Sequence, residues 1–273
     1  VWTPLRTTAL FSNHYLMEQA SVEEFTTVES IFLREKNCLL LRAEFTPIFT
    51  DYYLHLMEIK ERHPAGLDST LKELLAALTL HLTARPWAET IAWTANLRAP
   101  RANFFATGSS TSEYITGRLF TKDVREPDRN FLYSQTTVPG AEASLSTIEM
   151  EGNSPLEWLQ HFYDQSEQRP AKAFQLSGDH FALVAAQPDF DEEWFAQLSA
   201  KELETITEHA PHKVLETRRF KFACGCTLER ILPVLSAWKD KPDELFGDKD
   251  TISVQCPRCA KKYSVSPGDL QDD

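Results

Sequence analysis

The sequence between residues 220 and 230 reads Phe-Lys-Phe-Ala-Cys-Gly-Cys-Thr-Leu-Glu-Arg, and the sequence between 254 and 259 reads Val-Gln-Cys-Pro-Arg-Cys. These two stretches hold four of the five cysteines, which are Cys224, Cys226, Cys256 and Cys259. A C-x-C or C-x-x-C turn presents two sulfur atoms to one point, and zinc prefers four such ligands in a tetrahedron. The spacing therefore predicts a four-thiolate site that binds one Zn²⁺ per chain.

Two structural disulfides, or four unconnected thiols, are the alternative interpretations of the same cysteines. Tight pairs favour a metal in a reducing compartment, because a secreted disulfide framework uses an even and dispersed set. The histidines nearest to the pairs, His209 and His212, precede them in the chain and are expected on the surface. Since thiolates fill all four positions, we do not expect a hydrolytic site with a metal-bound water.

The segment that carries the cysteines is too short for a secure core of its own. Thr227 can cap a helix over Leu228–Trp238, whose inward face is formed by Leu228, Ile231, Leu232 and Leu235. A metal supplies about 10–16 kcal/mol of folding free energy to comparable zinc-finger peptides. A purely structural zinc is one hypothesis. The sharper one is a redox switch, in which thiolate oxidation releases the metal and unfolds the segment.

Composition restricts the function classes. The chain has 273 residues, a formal net charge of −12, 42% hydrophobic and 11% aromatic residues. This content supports a sizeable core and excludes wholesale disorder. The negative charge argues against a general nucleic-acid or anionic-membrane binder. The longest apolar stretch, Leu74 to Leu82, is about half a membrane span, and no signal peptide is visible. We expect a soluble cytoplasmic protein.

A mostly antiparallel sheet is predicted for the larger part of the chain. Its strands are recognised by alternating apolar residues or by short apolar runs between turns. They are predicted around Ile31–Phe32, Leu39–Phe45, Ile91–Leu97, Phe104–Thr107, Tyr114–Phe120, Phe131–Thr137, Leu145–Glu151, Ala171–Leu176 and Phe181–Ala186. Cys38 immediately precedes the predicted strand Leu39–Phe45 and is interpreted as a buried and inert core thiol.

Helices are predicted by apolar spacing and by capping residues. Ser154-Pro155-Leu156-Glu157 is a capping box, and Ser199-Ala200-Lys201-Glu202 is predicted to be a second one. The fold class is therefore α+β. We expect three parts, which are an α/β domain over 1–187, a helical linker over 188–216 and a zinc-binding domain over 217–273.

Beyond the cysteine spacing, several flanking motifs make the chain resemble the heat-shock protein 33 family. Phe220-Lys221-Phe222 leads into Cys224, and Thr227-Leu228-Glu229-Arg230 follows Cys226. Downstream lie Lys262-Tyr263-Ser264-Val265-Ser266 and Asp269-Leu270. Separately, residues 161–170 read His-Phe-Tyr-Asp-Gln-Ser-Glu-Gln-Arg-Pro. The motif match covers about 145 to 270, whereas before residue 145 only the order of helices and strands fits.

The resemblance implies a redox-regulated holdase chaperone of the stress response, without enzymatic activity. In this family oxidation forms one disulfide in the C-x-C and one in the C-x-x-C, expels zinc and unfolds the linker. The opened chain, usually a homodimer, then holds unfolding client proteins without ATP. The client-binding candidates are the apolar linker residues Trp194, Phe195, Leu198 and Leu203.

Two other function classes are weighed against a chaperone. A structural zinc ribbon that binds a partner such as RNA is suggested by basic residues near the cysteines, which are Lys221, Arg230, Arg258, Lys261 and Lys262. A solvated face is the more frequent explanation of such charges. An enzyme is not expected, because no nucleophile–base order, phosphate loop, dinucleotide fingerprint or H-E-x-x-H motif is present.

Overall fold

A computed structural model describes residues 24–270, so residues 1–23 of the predicted first domain and 271–273 of the predicted last one lie outside it. Within the described range the main feature is one ten-stranded sheet. Its strands are β1 (Thr26–Leu33), β2 (Cys38–Glu44), β3 (Thr90–Leu97), β4 (Ala102–Ser109), β5 (Tyr114–Phe120), β6 (Phe131–Thr137), β7 (Ser144–Glu149), β8 (Ala171–Gln175), β9 (His180–Ala186) and β10 (His212–Phe222).

The spatial order of the sheet is β7-β6-β3-β4-β5-β10-β1-β2-β9-β8. Every neighbouring pair is antiparallel except β10 and β5, which are parallel and share two register positions, Lys221 with Tyr114 and Phe222 with Ile115. The predicted α+β class with a mostly antiparallel sheet is confirmed. The predicted bounds of β5 and β6 agree with the structure. β1 begins five residues before the predicted Ile31, and the other predicted strands differ from the structure by at most two residues at an end.

Strand β10 was not predicted as a strand. The proposed boundary between residues 216 and 217 falls inside it, although the division into three parts itself remains a prediction. The reason is that the side chains of residues 212–217 are not buried, and three later positions carry charge, Arg218, Arg219 and Lys221. A strand held mainly by its backbone leaves little hydrophobic pattern in the sequence.

Five helices cover the two faces of the sheet, and they are α1 (Thr46–Ile59), α2 (Ala65–Thr83), α3 (Pro155–Phe162), α4 (Glu192–Gln197) and α5 (Ala200–His209). Because successive side chains of a strand point to opposite faces, β9 contributes to two cores. Phe181 and Leu183 pack in the core with α1, α2 and α3. Ala182 and Val184 pack in the core with α4 and α5. The inner strands of this half-sheet are therefore buried on both sides.

The two predicted capping boxes have different outcomes. At α3 the Ser154 hydroxyl accepts from the Glu157 amide, and the Glu157 carboxylate accepts from the Ser154 amide, so this box is confirmed. At α5 the Ser199 hydroxyl accepts from the Glu202 amide. The Glu202 carboxylate instead accepts from the Trp194 indole at 2.5 Å. The second box is therefore replaced by a cap plus a bond between α5 and α4.

A buried histidine lies at the centre of the larger core. The His81 ring stacks on Trp93 at 5.3 Å and lies 3.2 Å, through Nδ1, from the Tyr163 hydroxyl. Burial, followed by the nearby Arg85 and Arg169, lowers the pKa of His81 to about 3. The folded protein therefore keeps this imidazole neutral. Among the described helices, none combines the length and apolar character needed to cross a bilayer.

Replacing His81 by Phe should make folding stability less sensitive to acid. Between its depressed pKa and about 6.5, the unfolded chain binds a proton at His81 that the folded chain does not, so stability falls as pH falls below about 6.5. The loss is about 1.4 kcal/mol per pH unit. When the pH falls from 7.5 to 5.5, the free energy of unfolding measured in urea should therefore decrease by about 1.4 kcal/mol more in the wild type than in His81→Phe. Tyr163→Phe, which keeps the imidazole, should retain the wild-type pH dependence. Equal losses in wild type and His81→Phe contradict this assignment.

Candidate metal centre

The four cysteines of the C-terminal region converge on one point. Their sulfur atoms all lie within 4.8 Å of one another. Cys224 Sγ is 3.7 Å from Cys256 Sγ, and Cys226 Sγ is 3.5 Å from Cys259 Sγ. Residues that the sequence placed far apart are thus brought into a set that could hold a metal ion.

The first pair of sulfurs is positioned by the end of β10. After Phe222 the chain turns through Gly225, whose φ of +64° lies in the left-handed region that favours glycine. A Cβ added there would lie 3.4 Å from the Tyr114 ring, so the turn also sits close to β5. Gly225 therefore lets both neighbouring cysteines turn toward the same point.

The second pair is positioned by a small hairpin of β11 (Ile252–Gln255) and β12 (Lys262–Val265). The Cys256 amide donates to the Lys261 carbonyl at 2.8 Å, and the Ala260 amide donates to the Cys256 carbonyl at 3.0 Å. Ala260 itself has a φ of +67°. These bonds close the C-x-x-C turn and hold both sulfurs on one side of it.

The remaining C-terminal residues form two small clusters. Ile231 contacts the buried Cys256 and Cys259, while the second cluster contains Leu235, Phe246, Val265 and Leu270. Thr227 caps α6 (Leu228–Ile231), as predicted. The predicted helix to Trp238 changes at Leu232 into a 3-10 helix, since Pro233 has no amide to continue the α-helical bonding. Helix α7 (Pro242–Phe246) completes this part.

The cysteine turns are docked on the sheet domain through polar contacts that the sequence did not predict. His55 Nε2, on α1, lies 2.6 Å from the Cys259 carbonyl. Arg118, on β5, donates to the Cys256 carbonyl at 3.1 Å and to the Gln255 side chain at 2.9 Å. Glu58 and Lys261 form an ion pair at 2.8 Å. No motif links these residues in sequence, because sheet pairing and chain folding bring them together.

Two thiols of the centre, those of Cys226 and Cys259, have raised pKa values. Burial raises the pKa of Cys226. The neighbouring Cys224 thiol, and then burial, raise the pKa of Cys259 to about 11. The Tyr263 hydroxyl donates to the Cys226 carbonyl at 2.8 Å and lies 3.1 Å from its sulfur. Without a cation these groups remain protonated, so metal binding must displace protons from them.

The predicted linker residues lie on the opposite face of the sheet, away from the cysteines. Phe195, Leu198 and Leu203 are buried against β1, β2 and β9, and Trp194 is partly buried. Cys38 lies in the same cluster and is fully buried. Burial, followed by the charge of Asp191, raises the pKa of the Cys38 thiol to about 11. A buried and unreactive Cys38 agrees with the interpretation from sequence.

The basic residues near the cysteines do not form one free surface. Lys261 is paired with Glu58, and the Arg230 guanidinium donates to the Gly225 carbonyl at 2.8 Å. The Lys221 ammonium lies 5.6 Å from the centre of the Tyr114 ring. Of these five basic residues, Arg258 and Lys262 are exposed.

A sheet domain carrying a C-terminal four-cysteine centre is the class of protein that this geometry defines. Residues 179–266 match the family model described as "Hsp33 protein". The fold is similar to the crystal structure of the 33 kDa chaperonin, a heat shock protein 33 homologue, from Thermotoga maritima. The TM-score is 0.71 with 14% identity, covering 91% of this chain and 97% of that one.

Curated relatives agree with these matches. The 33 kDa chaperonin of Pectobacterium carotovorum is 23% identical over 167 residues, which are 52% of this chain and 58% of the relative. The 33 kDa chaperonin of Geobacter sp. is 35% identical over 69 residues, which are 25% of this chain and 23% of that relative. The chain thus spans little more than half of the first relative's length. Together the findings confirm the resemblance to the heat-shock protein 33 family.

Tyr263→Phe should weaken metal binding about tenfold, because groups that hydrogen-bond to a metal ligand commonly contribute 10–100-fold to affinity. The substitution keeps the ring and removes only the hydroxyl that contacts Cys226. The measurement is competition for Zn²⁺ between the reduced protein and a chromogenic chelator. Tyr133→Phe, on the distant strand β6, is the matched control and should bind as the wild type does. Equal affinities for all three proteins contradict a role of the hydroxyl at the site.

Proposed function

We propose that this chain is a redox-regulated holdase chaperone, which binds unfolding proteins after oxidation of its four-cysteine zinc centre. The observation that carries the proposal is the convergence of Cys224, Cys226, Cys256 and Cys259 on one point. The resemblance to heat-shock protein 33 supplies the expected activity. We infer a cytoplasmic location from the same family and from the free thiols.

The donor set fits zinc. A tetrahedral site with zinc–sulfur bonds of ~2.3 Å places neighbouring sulfurs about 3.8 Å apart. The two close sulfur pairs, at 3.5 and 3.7 Å, approach this spacing. When bound, zinc would hold four thiolates and contribute folding energy to the small C-terminal core. A closed four-sulfur site leaves no ligand position for substrate, which supports a non-enzymatic role.

Oxidation would convert these ligands into disulfides. The resemblance implies one disulfide between Cys224 and Cys226 and one between Cys256 and Cys259. For each, one hydrogen peroxide takes two electrons and two protons from a pair of thiols, giving one disulfide and two waters. A disulfide sulfur is a poor zinc ligand, because the ligand is the thiolate. The metal would leave, and the C-terminal clusters around Leu235 and Ile231 would lose their main support.

The linker is the element whose release would create a binding surface. Its helices α4 and α5 cover an apolar face of β1, β2 and β9. Undocking exposes both the helix residues Phe195, Leu198 and Leu203 and the sheet residues beneath them. Such a surface fits unfolded clients, which expose apolar side chains of their own. We include a homodimer on activation as part of this proposal, by resemblance alone.

A structural zinc ribbon that binds RNA is the second candidate. Exposed Arg258 and Lys262 are what favours it. Against it stand the net charge of −12 and the intramolecular contacts of Lys261 and Arg230. Binding of RNA at low salt that is lost in Arg258→Ala/Lys262→Ala would support this candidate.

Peroxide treatment with mild heating should release one zinc per chain and leave one free thiol of the five, that of Cys38. The treated protein should then suppress aggregation of thermally unfolding malate dehydrogenase, because the linker surface becomes available. Zinc is followed with a chromogenic indicator, thiols by alkylation and aggregation by light scattering. Cys38→Ser is the control that should retain the response, whereas Cys226→Ser should lose it. Zinc release without suppression rules out the proposal.

Leu203→Ser should activate the chaperone without oxidation. Leu203 is fully buried between α5 and the sheet, and truncating such a residue costs about 2–5 kcal/mol, so the linker should undock more often. The reduced variant should keep its zinc and suppress malate dehydrogenase aggregation more than the reduced wild type does. Leu145→Ser removes a leucine that is 65% exposed and should have no effect. Inactivity of zinc-loaded Leu203→Ser contradicts a linker that masks the binding surface.

A further inference from the structure

The first six residues of β10 are weakly held for a strand inside a sheet. None of the side chains of residues 212–217 is buried, and Val214 and Leu215 are 47% and 52% exposed. Apart from main-chain pairing, Glu216 accepts from the Trp87 indole and from Arg218. Trp87 is itself exposed, so its bond to Glu216 contributes little. The 2.6 Å ion pair with the buried Arg218 guanidinium instead holds Glu216, near the end of the segment. Before Glu216, the segment therefore depends mainly on its backbone hydrogen bonds.

Those backbone bonds lie on one side only. β10 pairs with β1 from His212 to Phe220, with an irregularity between Ser30 and Ile31. Its pairing with β5 is confined to Lys221 and Phe222, at its far end. Over residues 212–217 the outer edge of β10 has no strand partner within the described part of the chain. A strand without buried side chains and with one partner is marginally stable.

The position of this segment in the chain ties it to the linker. It follows α5 directly, since α5 ends at His209 and β10 begins at His212. Its other end is anchored by Arg218, which is buried and donates to the Leu82 carbonyl and the Ser110 hydroxyl, both at 2.9 Å. When α5 undocks, residues 212–217 lose their fixed start, while Arg218 keeps the rest of β10 in place.

We propose that unfolded clients bind in the place of residues 212–217, as an extended segment that pairs antiparallel with β1. This inference rests on the proposed function and identifies its binding site. Release of the segment leaves the backbone edge of β1 unpaired from Glu29 to Leu33. An unpaired strand edge accepts another extended chain through main-chain hydrogen bonds. Unfolded polypeptide supplies such segments irrespective of its sequence.

Side chains beside this edge add a preference for apolar clients. Residues directly opposite in an antiparallel pair share one face. His212 lies opposite Leu33, and Val214 lies opposite Ile31. Ile31 and Leu33 belong to the core that α4 and α5 cover. Once those helices leave, a client strand with apolar side chains opposite both Ile31 and Leu33 covers this face better than β10, which places His212 opposite Leu33.

A disulfide between β1 and β10 tests the proposal in the full-length oxidised protein. Phe32 and Lys213 are register partners, so Phe32→Cys/Lys213→Cys should form a bond that keeps the segment paired. Phe32→Ser/Lys213→Ser is the matched control without the bond. Peptide mapping verifies the disulfide, and proteolysis within residues 188–211 verifies that the linker is released in both variants.

The variant with the disulfide should suppress malate dehydrogenase aggregation at least tenfold less effectively than the control without it. The control should resemble the oxidised wild type. Equal capacity in the bonded variant and the control overturns the binding site but leaves the chaperone proposal standing. Inactivity of the oxidised wild type itself overturns the chaperone proposal instead. The two failures are therefore distinguishable.

A second measurement uses the wild-type chain and is independent of these variants. The probe is a fluorescent eight-residue peptide of alternating Val and Thr, compared with the same peptide N-methylated at alternate amides. Methylation keeps the side chains and removes the donors that pair with a strand edge. The oxidised protein should bind the unmodified peptide at least tenfold more tightly. Equal binding of the two peptides shows that apolar contact alone is sufficient and overturns the proposed strand pairing.

Discussion

Convergence of two sulfur pairs from separate chain segments is the constraint on which residues 223–270 of this structure depend. One pair follows the end of β10, the strand between β1 and β5. The other pair lies in the hairpin formed by β11 and β12, which have four residues each. The apolar clusters around the two pairs are small. Ligation of one metal by both pairs would therefore be the main interaction that holds the two segments together. Because β10 runs directly into Cys224, the state of this centre bears on a strand of the main sheet.

The sheet domain contacts the centre largely through main-chain atoms, and the His55 side chain also interacts with the Cys259 thiol. His55 and Arg118 approach the carbonyl groups of Cys259 and Cys256, and Glu58 holds Lys261 nearby. These contacts depend on the backbone conformation of the C-x-x-C turn. A change at the sulfur atoms that rearranges the turn would therefore be transmitted to α1 and β5 without any ligand moving between the domains.

Local signals in the sequence were sufficient for much of this description. Cysteine spacing predicted the cluster, alternation predicted β3, and the Ser154 capping box predicted the start of α3. Three features depended on tertiary structure and carried no such signal. β10 contributes few buried side chains, Glu202 bonds to Trp194 rather than to its own helix start, and Arg118 meets the hairpin only after the sheet has formed.

Because Cys38 is buried, the rate at which its thiol is alkylated reports how often the core around it opens. Its thiol lies in the core beneath α4 and α5 and is fully shielded in the closed form. Alkylating reagents reach a shielded thiol only during opening events, so the rate of its modification measures how often that core opens. The native sequence thus carries its own kinetic reporter of linker motion, placed on the face opposite to the four cysteines and requiring no added label.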